Sequence, residues 1–158
     1  MHGGKASKQA ISDLWRADMN TTTTGTGSRH VVRGSQPYTS AQGTVYAPGI
    51  CAETVGSAAL FLGRVTLPAG ERTKAHVHAR HESAFYMLSG EEVELWTGER
   101  LQERAVAQPG DYLFIPAGVP HVAVNRSGSQ PAVFIGSRNE PTAQESVMMR
   151  PDLDALVP

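Results

Sequence analysis

From His30 to Ser137 the chain is cut into short apolar runs that end repeatedly at proline and glycine, at Pro68-Ala-Gly70, Ser89-Gly90, Pro109-Gly110 and Pro116-Ala-Gly118. No helical period runs between these breaks. The pattern predicts strands over His30–Arg33, Val45–Ala47, Ala58–Leu67, Thr73–His78, Ser83–Leu88, Glu91–Thr97, Arg104–Ala107, Asp111–Ile115, His121–Asn125 and Ala132–Ser137. Many short strands can bury their apolar faces only as two packed sheets or as one sheet closed on itself. The fold class is therefore all-β, a sandwich or barrel. At 158 residues the chain suffices for one domain with a core and is too short for two ordinary ones.

The ends read differently. Ser7 to Met19 predicts a short amphipathic helix with Ile11, Leu14 and Trp15 on one side, and Asn20 to Ser28 a flexible linker. The expected organisation is a helix and linker over 1–29, a barrel over 30–138 and an arm over 139–158. The arm carries three prolines and is expected to pack on the barrel or on a partner subunit, with Met148 and Met149 as an apolar anchor. An arm of that length would cover a sheet edge, so a homodimer is expected. A net charge of −1 gives no general attraction to nucleic acid or acidic membranes, and Lys5, Lys8 and Arg16 are too sparse for a DNA-binding arm. No apolar run is long enough to span a bilayer, and Met1 to Ala10 lacks the apolar centre of a secretory signal. The single cysteine, Cys51, excludes an internal disulfide and fits a reducing compartment, so the expected location is the cytoplasm.

Chemistry concentrates in Gly70-Glu-Arg-Thr-Lys-Ala-His76-Val-His78. Two histidines at i and i+2 on a strand share a face, their Cα atoms roughly 6.6 Å apart, so both imidazoles can lean onto one metal ion. A later run, Gly110 to Asn125, brings a third histidine, His121, to the start of another strand. Gly70, Gly90, Gly110 and Gly118 fall at sharp turns, and Pro116 fixes the turn that delivers His121. Leu60, Leu62, Phe85, Met87, Leu113 and Ile115 are candidates for the apolar wall of a pocket.

These two segments resemble the cupin superfamily. Its second motif, G-x5-P-x-G-x2-H-x3-N, is met by Gly110, Pro116, Gly118, His121 and Asn125; its first, G-x5-H-x-H-x3,4-E-x6-G, by Gly70, His76, His78, Glu82 and Gly90. The likeness covers about residues 55–138. It implies a double-stranded β-helix of the jelly-roll type holding one divalent metal ion on His76, His78, Glu82 and His121. A mixed imidazole and carboxylate set suits Mn, Fe, Ni, Co or Zn. One departure stands out: seven residues, not six, separate Glu82 from Gly90. Because side chains alternate, this slip puts Ser83 at the ligand position and Glu82 on the other face unless a β-bulge restores it. His81 shares the parity of Ser83, and a water would complete a three-histidine site.

Cupins catalyse many reactions, so the fold names none. Arg72 and Lys74 share strand parity with His76, and Arg80 follows in the loop. Together these cations could bind an anionic head group of a substrate. Cys51 is either a packed small hydrophobe or a thiolate nucleophile. With Cys51 ahead of the histidines, the chain is similar to cupin enzymes that remove methylthiol from 1-methylthio-xylulose 5-phosphate. That narrower resemblance implies manganese, catalysis by Cys51, glutathione as co-substrate and 1-deoxyxylulose 5-phosphate as product. The alternatives are an iron-dependent dioxygenase and a small-molecule binding or sensing module.

Overall fold

The structure, a computed structural model, describes residues 30–158. The helix and linker expected over 1–29 lie outside the described residues. Eleven strands follow in order: β1 (Tyr38–Thr39), β2 (Val45–Ile50), β3 (Phe61–Leu67), β4 (His76–Val77), β5 (Ser83–Ser89), β6 (Val93–Thr97), β7 (Glu103–Ala107), β8 (Tyr112–Ile115), β9 (His121–Asn125), β10 (Ala132–Arg138) and β11 (Met148–Met149). A single-turn helix α1 (Ala52–Val55) joins β2 to β3, and a 3-10 turn spans Pro151–Leu156. The strands form a six-stranded sheet, β1-β2-β3-β10-β5-β8, and a five-stranded sheet, β11-β4-β9-β6-β7. Every pairing is antiparallel. This is the all-β double-stranded β-helix expected from the sequence.

Alternation decides what each strand buries. Along β3 the buried positions are Phe61, Gly63, Val65 and Leu67, and along β10 they are Ala132, Phe134, Gly136 and Arg138. The two strands pair with Phe134 opposite Val65. Gly136 is required by crowding, since a Cβ there would stand 2.9 Å from both the Phe85 ring and a Val65 methyl. The inner faces of the two sheets enclose one core of Tyr46, Phe61, Val65, Leu67, Met87, Val93, Leu95, Leu113, Ile115 and Phe134. Burying a residue of this kind stabilises by roughly 1.5–3 kcal/mol. The parity expected for β3 was off by one: Leu60 is 47% exposed and Leu62 only partly buried, and Val65 and Leu67 form the wall instead. Phe85, Leu113 and Ile115 line the cavity as expected, and Met87 is buried in the core without lining it.

The five-stranded sheet is covered on both faces. Behind it Val122, Val124, Ala75 and Leu101 meet Leu153 and Val157 of the C-terminal segment, with Trp96 packed alongside. Arg72 fastens that segment, donating hydrogen bonds to the carbonyls of Asp154 (2.7 Å) and Val157 (2.5 Å), while Asp154 accepts the Ala75 amide at 2.7 Å. The arm therefore packs on its own barrel. Met148 and Met149 do not anchor it, because both side chains are exposed; they attach by strand pairing with Val77 and His76. No strand forms at His30–Arg33, and the Thr73–His78 strand shrinks to His76–Val77. Ahead of it, backbone amides of Thr73 and Lys74 bond to Ala123 and Gln42 rather than to one continuous partner strand. Among the described residues no helix is long and apolar enough to cross a membrane.

Candidate metal centre

Register brings the histidines together. His76 of β4 lies directly opposite His121 of β9, and His78 follows two residues later on the same face. Ring centroids are 4.1 Å apart for His76–His121, 4.7 Å for His78–His121 and 5.3 Å for His76–His78. One ligand nitrogen from each lies within 4.8 Å of the others. Nδ1 of His76 donates to the Lys74 carbonyl at 2.7 Å, and Nδ1 of His121 to the Val119 carbonyl at 3.0 Å. Those bonds fix the tautomer and leave each Nε2 lone pair free for a ligand role. Nδ1 of His78 pairs with Ser83 Oγ at 3.2 Å. Its Nε2 is buried with no hydrogen-bond partner.

Burial holds all three imidazoles neutral. It lowers the pKa of His76, takes His78 down to about 4, and with the neighbouring histidines carries His121 well below its ordinary value. A neutral imidazole is the form that binds metal. The three rings face a cavity of about 60 Å³, whose wall includes Val65, Leu67, Phe85, Leu95, Leu113, Ile115 and Phe134, with Gln42 among its polar members.

A carboxylate stands beside His78 from a place the sequence did not mark. Glu145 is buried, and its Oε1 accepts hydrogen bonds from Tyr46 Oη at 2.9 Å and from Gln42 Nε2. Its Oε2 stands 3.4 Å from His78 Nε2 and 3.6 Å from His81 Nε2, so His78, His81 and Glu145 form a second group of ligand-type atoms within 4.8 Å. Burial pushes the Glu145 pKa up, but His81, His78, Arg138 and Tyr46 outweigh it and hold the carboxyl at about 2. Burial, with Glu145 next, drives the Tyr46 phenol well above its ordinary value, so it remains a donor. His81 also sets Nδ1 2.9 Å from Glu140 Oε2.

Other expected site residues fall elsewhere. Glu82 is exposed and does not join the histidines: the register shift of β5 against β10 falls at the far end of the strand, between Met87 and Ser89, and does not turn Glu82 inward, so Ser83 and His81 point inward in its stead. Arg72 is engaged by the C-terminal carbonyls, and the side chains of Lys74 and Arg80 are exposed, so the three form no anion pocket. Cys51 is 0% exposed in the main core, caps α1 with Sγ 3.4 Å from Thr54 Oγ1, and is not part of the cavity wall.

Three neutral histidines on an antiparallel barrel, beside a buried carboxylate, define a protein that could hold a metal ion in its core. The donor chemistry and the bare nitrogen of His78 fit a divalent first-row ion. Residues 63–136 match the cupin domain family. The barrel has the cupin fold. No curated protein matches the chain. Among solved structures, it is similar to the polyketide cyclase RemF from Streptomyces resistomycificus (22% identity, 80% of this chain and 85% of that one, TM-score 0.57). It is also similar to an E162A mutant of Bacillus subtilis oxalate decarboxylase OxdC (18%, 73% and 30%, TM-score 0.59). A third likeness is to the Schizosaccharomyces pombe Cnp3 cupin domain (13%, 61% of each chain, TM-score 0.52). The chain thus spans less than two thirds of the last two. At these identities the likeness is one of fold.

Proposed function

We propose that this chain is a metal-dependent cupin enzyme acting on a small carbonyl-bearing compound. The observation that carries the reading is the convergence of three neutral imidazoles, His76, His78 and His121, on an otherwise largely apolar cavity. A divalent ion held there would supply Lewis acidity toward a carbonyl oxygen. The chain's own residues do the rest. Phe85, Leu113, Ile115 and Phe134 keep water from the reacting end of the substrate. Gln42 keeps Oε1 without a partner and so offers an acceptor to a substrate hydroxyl. About 60 Å³ is well below the ~150 Å³ that holds a benzene, so only the reacting end of a substrate fits.

Within this reading manganese is one candidate among Mn, Fe, Ni, Co and Zn. Methylthiol transfer to glutathione through Cys51 finds no support in a thiol that is fully buried and outside the cavity wall. The test is elemental analysis of the purified protein and of His121→Ala, with turnover of small carbonyl compounds followed alongside. Wild type should carry one divalent ion per chain, and His121→Ala should lose most of it together with turnover. A fully metallated His121→Ala protein would overturn the site.

A further inference from the structure

Two of the three imidazoles are aimed by a backbone carbonyl two residues before them: Nδ1 of His76 donates to Lys74 and Nδ1 of His121 to Val119. His78 has no such bond. The residue two before it is His76, which lies in the sheet between Met149 and His121, and the carbonyl of His78 itself accepts the Gly118 amide at 2.8 Å. What meets Nδ1 of His78 is a side chain, Ser83 Oγ at 3.2 Å. Ser83 is 2% exposed and sits on β5 between Arg138 of β10 and Ile115 of β8, so its own place is fixed from both sides.

A hydroxyl can accept or donate, so this contact alone leaves the tautomer of His78 open. The surroundings of Nε2 decide it. That nitrogen is buried without a hydrogen-bond partner, and Glu145 Oε2, 3.4 Å away, is equally unpartnered. A proton on Nε2 would be a buried donor with no acceptor, which is costly. On Nδ1 the same proton is donated to Ser83 Oγ, and Nε2 then presents a lone pair, as it does in His76 and His121. We infer that Ser83 is a positioning residue of the metal centre: its hydroxyl accepts the Nδ1 proton of His78 and so turns Nε2 toward the ion that His76, His78 and His121 would hold. The inference rests on the metal reading above. It also gives the one-residue slip in the first motif a consequence. The position at which that motif sets a carboxylate ligand carries instead a group that orients one of the ligands.

Two measurements test this, and the first needs no variant. In the metal-free wild-type chain at pH 7.5, heteronuclear NMR of the imidazole rings should find His78 protonated at Nδ1, like His76 and His121. Protonation of His78 at Nε2 overturns the inference, whatever becomes of the variants. In the second, metal-stripped full-length chains are titrated with Co(II) against a competing chelator. Ser83→Ala should bind roughly 10–100-fold more weakly than wild type. In a His78→Ala background, where the ring it serves is gone, the same change should cost nothing further. An equal loss in both backgrounds would show a purely structural role and reject the assignment. His121→Ala, run in parallel, separates the two ideas. Binding lost there with Ser83→Ala unchanged rejects the role of Ser83 alone; binding unchanged in both rejects the metal reading.

Discussion

Cys51 illustrates how burial decides a side chain's role. Its thiol packs against the main core, and its backbone amide donates to Thr54 Oγ1 at 3.0 Å, closing the first turn of α1. Cys51→Ser puts a hydroxyl where a small apolar group sat, so it should cost about 1–2 kcal/mol in urea unfolding and leave metal content and metal-dependent turnover intact. Loss of turnover with metal retained would restore the thiol to the chemistry. The histidines were legible from the sequence because a strand's period of two fixes their common face, whatever its ends. Glu82 was not, since a shift of one residue inverts the face and only the packing shows whether a bulge compensates. Glu145 had no signal of its own: it sits in a segment without period, and its place beside His78 and His81 depends on where the chain returns after β10.

At the scale of elements, Glu94 links three parts of the five-stranded sheet. It lies on β6, accepts from Arg104 of β7 at 2.9 Å and from Arg126 just beyond β9 at 3.1 Å, and receives the Trp96 indole N–H at 2.9 Å. Hydrogen bonding from Arg104, with Arg126 and Trp96, holds the Glu94 carboxyl at about 2. A carboxylate whose pKa falls on folding stabilises above its unfolded pKa, near 4.5, and loses that contribution as pH drops toward about 2. The two guanidinium groups remain 44% and 43% exposed, so solvent screening keeps the effect small. Glu94→Gln should lower the urea midpoint slightly at pH 7 and not at pH 2, and an equal loss at both would show that packing, not charge, is at stake. Strand identity was legible here from short runs bounded by turn residues, although burial does not alternate along β6, β7 or β9. The strand expected over Val45–Ala47 is longer: β2 runs on to Ile50 through a register shift opposite Gly63, the kind of irregularity that admits proline in a strand.

For the whole molecule, the C-terminal segment joins stability to the candidate centre. Leu153 and Val157 seal the outer face of the five-stranded sheet, and Glu145 reaches the inner histidines. The histidines in turn tie stability to pH. Burial lowers the pKa of His76, His78 and His121 in the folded chain, so the unfolded chain binds more protons below about 6.5. Stability of the metal-free protein is then complete above pH 6.5 and falls as the pH drops toward about 4, with His78 alone accounting for on the order of 3 kcal/mol. A bound ion adds stability that grows with the logarithm of its excess over Kd, about 2.7 kcal/mol at a hundredfold excess. Protons compete for the same nitrogens, so that increment should vanish over the same window. Melting curves between pH 4 and 8, with and without Zn(II), should show a Tm gap that is wide at pH 7.5, narrows below 6.5 and is gone near pH 4. His121→Ala should show almost no gap at any pH. A wild-type gap that ignores pH would mean that the ion sits on ligands other than these histidines.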